Sequence, residues 1–150
     1  MKRATFDTPT GPVTVTEEGG AITGLSWGGG GDDRSELLDE AGRQLAAYFA
    51  GERQAFDLPL RPRGNEFQQG FYAVLRAIPW GETRTYGEIA AEMGASAQAI
   101  GQACGANPIP IFIPCHRVLG ANSLGGFSGG TGVETKVALL RLEKAAGLLI

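Results

Sequence analysis

The residues best equipped for covalent chemistry lie in one stretch, Asn107-Pro108-Ile109-Pro110-Ile111-Phe112-Ile113-Pro114-Cys115-His116-Arg117-Val118. It sets one of the chain's two cysteines beside its only histidine. A cysteine attacks as the thiolate, and an unperturbed thiol titrates near ~8.5, so a neighbouring base raises the reactive fraction at neutral pH. An attacking sulfur must also sit about 3 to 3.5 Å from its target, in line with the bond that breaks. The prolines hold the residues before them extended and remove backbone freedom, so Cys115 is expected on a stiff segment. Adjacent side chains usually point apart, and a buried cysteine often serves only as a small hydrophobe. Two neighbours strengthen the chemical reading: Arg117 directly after the pair, and a glycine-rich stretch at 124–132 suited to close ligand contact.

Two cysteines, Cys104 and Cys115, are too few for a disulfide framework, and free thiols are expected. A zinc site would need carboxylates to complete its four ligands, so no metal and no cofactor is predicted. The chain has 150 residues, 43% of them hydrophobic, which suits one good core or two small ones. Its start has basic residues with no apolar run behind them, and nowhere do about eighteen apolar residues follow one another. The expectation is a soluble, cytoplasmic protein with no membrane partner.

A net charge of -3 argues against a polyanionic partner until it is divided along the chain. Residues 1–60 carry 5 Lys/Arg against 10 Asp/Glu, whereas residues 61–150 carry 8 against 6. A polyanion should meet the second part.

The elements that must position Cys115 follow from periodicity and turn chemistry. Residues 4–8, 13–17 and 21–27 read as a small meander of strands. Asp33 with Glu36 resembles a capping box opening a helix with Leu37, Leu38, Ala41, Leu45, Tyr48 and Phe49 at helical spacing. The glycine run at 28–31 lacks the Gly-Lys-Ser/Thr of a phosphate loop and precedes Asp32-Asp33. Residues 56–60 are predicted as a further strand, and Arg61-Pro62-Arg63-Gly64-Asn65 as a linker. A helix over 67–77 follows. Thr85 with Glu88 caps a helix over 86–93, Gly94 ends it, and Ser96 caps another over 97–103, in helix-turn-helix order. That last helix has Ala97, Ala99, Gly101 and Ala103 and almost no bulk. Glycine costs about 1 kcal/mol against alanine in a helix, so either tight packing on a neighbouring helix or entry into a DNA groove would account for it.

Taken together, Ile113-Pro114-Cys115-His116-Arg117-Val118, Thr85-Tyr86, Asn107-Pro108, Ser128-Gly129-Gly130 and Lys136-Val137-Ala138-Leu139-Leu140-Arg141-Leu142-Glu143 resemble the O6-alkylguanine-DNA alkyltransferase family, also called methylated-DNA-protein-cysteine methyltransferase. The likeness runs over roughly residues 67–146. It implies an α+β protein: a small antiparallel sheet with a helix, ribonuclease H-like, over 1–61, then a mainly helical, winged helix-turn-helix-like domain over 62–150 that binds DNA and accepts the alkyl group.

The resemblance also implies roles. Cys115 is the acceptor, His116 the base acting through a water, and Glu143 the carboxylate orienting it, a relay of the kind that activates hydrolase nucleophiles. Read without the resemblance, Glu143 is a solvated helix residue, as its neighbours Arg141 and Lys144 suggest. Tyr86 is the general acid toward departing guanine. The Val118 backbone and Ser128 form the guanine wall, Pro110 packs the alkyl group, and Asn107 holds the helix-turn-helix to the active-site turn. Gln98, Ala97, Gly101, Arg84 and Arg117 are the DNA-facing residues. The expected partner is double-stranded DNA containing O6-alkylguanine, its damaged nucleotide swung out of the stack, and the protein is expected to act as a monomer.

The sequence departs from the family pattern in places. Gln98 stands where the family has an arginine that fills the gap left by the extruded base, which predicts weaker DNA affinity or help from Arg84. Phe127 replaces a tyrosine, and the zinc ligands of some members have no counterpart. Two other classes compete: a lesion-binding module without chemistry, against which Cys115 speaks, and a cysteine hydrolase, against which the adjacent Cys-His order speaks.

Overall fold

The computed structural model describes residues 1–127 and 129–145. Two compact units divide the chain: Met1–Arg63 with Pro108–Phe112, and Gly64–Asn107 with the described residues from Ile113 onward.

In the first unit, β1 (Lys2–Phe6), β2 (Val13–Glu18) and β3 (Ala21–Trp27) form an antiparallel sheet in the order β1-β2-β3. Ala4 lies opposite Val15 and Val15 opposite Leu25, so the apolar positions share one face. Helix α1 (Glu36–Phe49) supplies Leu38, Ala41, Leu45 and Tyr48, all buried as the sheet's own apolar residues are. Gly42 lets this helix approach β1, since a Cβ there would stand 2.3 Å from Cε1 of Phe6.

Three local expectations change. β1 covers 2–6 instead of 4–8, because Thr8 Oγ1 accepts from the Thr10 amide at 3.1 Å and donates to the Gly11 carbonyl at 2.6 Å, turning the chain early. The cap of α1 is Ser35, which accepts from the Leu38 amide at 3.0 Å, while Asp33 accepts from the Arg3 amide at 2.9 Å. Residues 56–60 form no strand: Leu60 makes an isolated bridge to Ile22, and the buried Gln44 side chain holds both backbone groups of Asp57, at 2.9 and 3.1 Å. Pro108–Phe112 completes this unit through the Leu25 amide, which donates to the Pro108 carbonyl at 2.9 Å, and through Phe112 packed edge-on to Phe56.

The second unit is mainly helical: α2 (Glu66–Arg76), β4 (Arg84–Thr85), α3 (Tyr86–Met93), α4 (Ala97–Gly105), β5 (Val118–Leu119) and α5 (Val133–Leu142). Asn65 and Gln68 form a capping box that starts α2 one residue before the predicted start. Thr85 with Glu88 caps α3, Gly94 ends it, and Ser96 caps α4, so the helix-turn-helix forms as its capping residues dictate. The core gathers Phe71, Tyr72, Leu75, Ile89, Ile100, Ile113, Leu139 and Leu140. Among the described residues no helix is long and apolar enough to cross a membrane.

Candidate active site

Pro114 leads into a single 3-10 turn, Cys115–Arg117. The Cys115 amide donates to the Ile113 carbonyl at 2.8 Å and the Arg117 amide to the Pro114 carbonyl at 3.1 Å. The approach is stiff, though not extended throughout: Ile111, buried, turns the chain at φ 72, a conformation costing about 1–3 kcal/mol for a residue with a Cβ. Asn107 Nδ2 donates to the Ile113 carbonyl at 2.9 Å and fixes the end of α4 to the residues before the turn.

Cys115 is a free thiol, 5% exposed. A hydrogen bond from Cys104, helped by Asn107 and the charge of Lys136, outweighs burial and holds its thiol below the usual range. Cys104 sits in the last turn of α4, its sulfur 3.7 Å from the Cys115 carbonyl oxygen, and the neighbouring Cys115 thiol, with burial second, keeps it protonated.

Behind the sulfur lies a buried charge cluster. Glu143 Oε2 is 2.8 Å from His116 Nε2, and Arg117 reaches the same carboxylate through Nε at 2.8 Å and Nη2 at 2.9 Å. Burial alone would raise the Glu143 pKa, yet His116 and Arg117 together bring it down to about 2. Burial in turn lowers the His116 pKa against the pull of Glu143, so the imidazole is neutral at pH 7. With the carboxylate ionised, the tautomer assigned from the network has Nε2–H donating to Glu143 and leaves a lone pair on Nδ1. That Nδ1 is buried and has no hydrogen-bond partner among the described residues.

The end of α5 explains how a carboxylate comes to stand there. Lys144 lies in the left-handed region at φ 56, its amide donating to the Arg141 carbonyl at 3.1 Å, and the Ala145 amide donates to Leu140 at 2.9 Å. This double closure turns the chain sharply and leaves Glu143 as the inward C-cap. The solvated alternative for Glu143 is therefore excluded, since its exposure is 0%.

Tyr86 opens α3, half-buried, and burial with the two nearby sulfurs pushes its phenol up to about 12. Gly125 is shaped for it: at φ 72, a Cβ there would lie 2.9 Å from the phenol oxygen. Lys136, fully buried, donates from Nζ to the Val118 carbonyl at 2.6 Å and the Gly126 carbonyl at 3.3 Å, 5.9 Å from the centre of the Tyr86 ring. The β4–β5 pairing of Arg84 with Val118 joins the start of α3 to the chain leaving the turn.

The structure thus brings Cys115, His116, Glu143, Asn107 and Val118 into one linked set, with Tyr86 tied in through Cys104 and Lys136. Val118 uses its amide toward the Cys115 carbonyl and its carbonyl toward Lys136. Pro110 is buried in the first unit, and Ser128 lies outside the described residues. Gln98 and Ala97 are exposed on the first turn of α4, and a Cβ on Gly101 would meet nothing within 4 Å, so its smallness does not serve packing on a neighbouring helix. Arg84 is ion-paired with Glu92 at 3.0 Å.

Arg117 corrects the reading that placed it toward DNA. It is 6% exposed, and its remaining nitrogen, Nη1, donates to the Ile78 carbonyl at 2.6 Å. A guanidinium so enclosed orients the carboxylate and cannot reach a phosphate. Sequence reasoning also passed over Cys104 and Lys136 as parts of the site. Lys136 did leave a signal: it shares an α5 stripe with Leu139, Leu140 and Glu143, where apolar residues are the rule. Among the described residues no cluster of His, Cys, Asp and Glu is suited to a metal ion.

Comparison with known proteins agrees with this geometry. Residues 66–145 match the DNA-binding domain of 6-O-methylguanine DNA methyltransferase, and residues 1–62 match its ribonuclease-like domain. The methylated-DNA–protein-cysteine methyltransferase of Methanosarcina acetivorans is 43% identical over 95% of this chain and 98% of its own length. The crystal structure of Mycobacterium tuberculosis O6-methylguanine methyltransferase superposes with a TM-score of 0.84 at 44% identity, covering 95% of this chain and 92% of that one. A structure of the same organism's protein, in complex with DNA, also gives 0.84, at 43% identity over 99% and 98%. The chain accordingly belongs to the methylated-DNA–protein-cysteine methyltransferase family.

Proposed function

We propose that this chain repairs DNA by direct, irreversible transfer of a methyl or small alkyl group from guanine O6 to Cys115, each molecule acting once. O4-alkylthymine is a second candidate substrate. The observation that carries the reading is the free Cys115 thiol, held below its usual pKa beside a neutral His116 whose Nε2 is taken by Glu143.

The sulfur attacks the alkyl carbon, forming a C–S bond as the C–O6 bond breaks. His116 Nδ1 takes the thiol proton through a bridging water, and Glu143, fixed by Arg117, stabilises the imidazole as it gains charge. The departing guanine needs a proton, and Tyr86, protonated throughout the neutral range, supplies it. The Val118 backbone takes part in the lesion pocket, and the first turn of α4, with Gln98, Ala97 and Gly101, faces DNA along with Arg84. The partner is a duplex bearing the lesion, bound by a monomer. Extrusion of the damaged nucleotide costs a few kcal/mol, which contacts to the duplex must offset.

Intact-protein mass spectrometry after mixing with a duplex containing O6-methylguanine should show one added methyl group. Cys115→Ala should show none. An unchanged wild-type mass would reject transfer, and tight lesion binding with unchanged mass would identify a binding module in its place.

A further inference from the structure

The chain has two cysteines, and both are free. Only Cys115 has a place in the reaction derived above, yet the fold sets the second beside it. Cys104 lies on the last turn of α4, and its sulfur is 3.7 Å from the Cys115 carbonyl oxygen, within hydrogen-bonding range for a thiol. Its own backbone is pinned: the amides of Ala106 and Asn107 both donate to the Cys104 carbonyl, the latter at 3.3 Å. The Asn107 side chain then reaches across to Ile113, so the same turn fixes both the sulfur and the approach to Cys115.

We propose that Cys104 is a positioning residue for alkyl transfer: its single S–H, within reach of the Cys115 carbonyl, turns to the Cys115 sulfur as that ionises, holding the acceptor in place and stabilising it as the thiolate. The inference rests on the transfer reading above and assigns a donor that reading lacked. A sulfur anion in a pocket with 5% exposure has little water to solvate it, so a donor built into the wall takes over that work. The donor must not ionise before its partner. The hydrogen bond with Cys115, and burial after it, raise the Cys104 thiol, while that of Cys115 is lowered. The Cys104 sulfur is also among the groups that raise the Tyr86 phenol, so one thiol influences both the proposed acid and the nucleophile. The exposed first turn of α4 and the acceptor sulfur are thereby connected through a single short helix.

Cys104→Ala and Cys104→Ser test the assignment, with Cys115→Ala as the blank. Two quantities are followed from pH 5.5 to 9.5: the single-turnover rate on a methylated duplex, and the thiolate absorbance and iodoacetamide reactivity of Cys115 without DNA. Removing the donor should lower the transfer rate at pH 7 about tenfold, the effect of one unit in thiol acidity, while the rate above pH 9 stays within about twofold. The ionisation midpoint of Cys115 should rise in step. Cys104→Ser keeps a hydroxyl donor and should restore most of the loss at pH 7. If Cys104→Ala lowers the rate equally at every pH, or Cys104→Ser fails to rescue, Cys104 is only a packing residue and the proposal falls. Should wild type leave the duplex methylated, transfer itself is wrong, and the DNA-free titration still decides what Cys104 does to Cys115.

Discussion

Two helices of the second unit handle charge in opposite ways. On α5, the inward stripe Lys136-Leu139-Leu140-Glu143 is wholly buried and carries two charges, each with partners: Lys136 on two carbonyls, Glu143 on His116 and Arg117. On α4, the exposed turn with Ala97 and Gln98 carries no charge, and Gly101 adds no side chain. A helix that meets a polyanion would be expected to show the reverse, since phosphate neutralisation supplies most non-specific affinity. The difference teaches that net charge is a poor guide here. Of the 8 cations in residues 61–150, Arg117 and Lys136 are withdrawn into the site, and Arg84 is paired with Glu92. The withdrawn charges act inside the unit: Arg117 helps to bring the Glu143 pKa down, and Lys136 helps to lower that of Cys115.

The buried cluster is where the contrast is most easily broken. Glu143→Ala strands the Arg117 guanidinium and the His116 ring without an anion, and removing one member of a buried pair costs about 3–5 kcal/mol. Urea unfolding should show a lower midpoint at an unchanged slope. Replacing both members, Arg117→Met with Glu143→Leu, should recover much of that stability, because apolar residues of similar size often match a buried pair. It should not recover transfer, since the imidazole loses its orienting carboxylate. A double variant as active as wild type would show that the cluster serves the fold alone.

The same cluster fixes how the fold responds to acid. His116 has a folded pKa below its usual 6.5, so below that pH the unfolded chain binds a proton the folded chain refuses. Glu143 adds a second loss, from its usual 4.5 down to about 2. Both contributions have one sign: stability is complete above pH 6.5, declines through the His116 range, and falls more steeply below 4.5. Melting temperatures at pH 7.5, 6, 5 and 4 should decrease in that order, and Glu143→Gln should remove the steep lower limb. A melting temperature flat from pH 7.5 to 4 would contradict the ion-pair geometry.

Much of this was legible in the chain. Period-2 and helical patterns located the sheet, α1 and the helix-turn-helix, because turn and capping residues mark their ends: Thr85 with Glu88, Gly94, Ser96. Errors arose where a group distant in the chain, the Arg3 amide or the Gln44 side chain, overrode a local signal. Asp33 looked like a cap until Arg3 took it, and residues 56–60 looked like a strand until Gln44 held Asp57. In the site, the Cys-His pair was plain from its motif, while Arg117 was misplaced because an arginine reads as exposed unless its partner is known. Cys104 was invisible for a related reason: eleven positions separate it from Cys115 in the chain, and only the turn at Asn107 brings the two together.

The smallest expected effect tests the other side of the contrast. Gln98 is exposed on the first turn of α4, and Gln98→Arg adds one cation there without touching the core. If that turn faces the duplex, binding to undamaged DNA should strengthen about tenfold near ~0.1 M salt, and the slope of log affinity against log salt should steepen by about 1. Fluorescence anisotropy across a salt series measures both. The Cys115 ionisation midpoint should stay where it is, because Gln98 belongs to the exposed first turn and Cys104, beside Cys115, to the last turn of the same helix. An unchanged salt slope would move the DNA surface off this turn, and a shifted midpoint would mean that the two ends of α4 do not act separately.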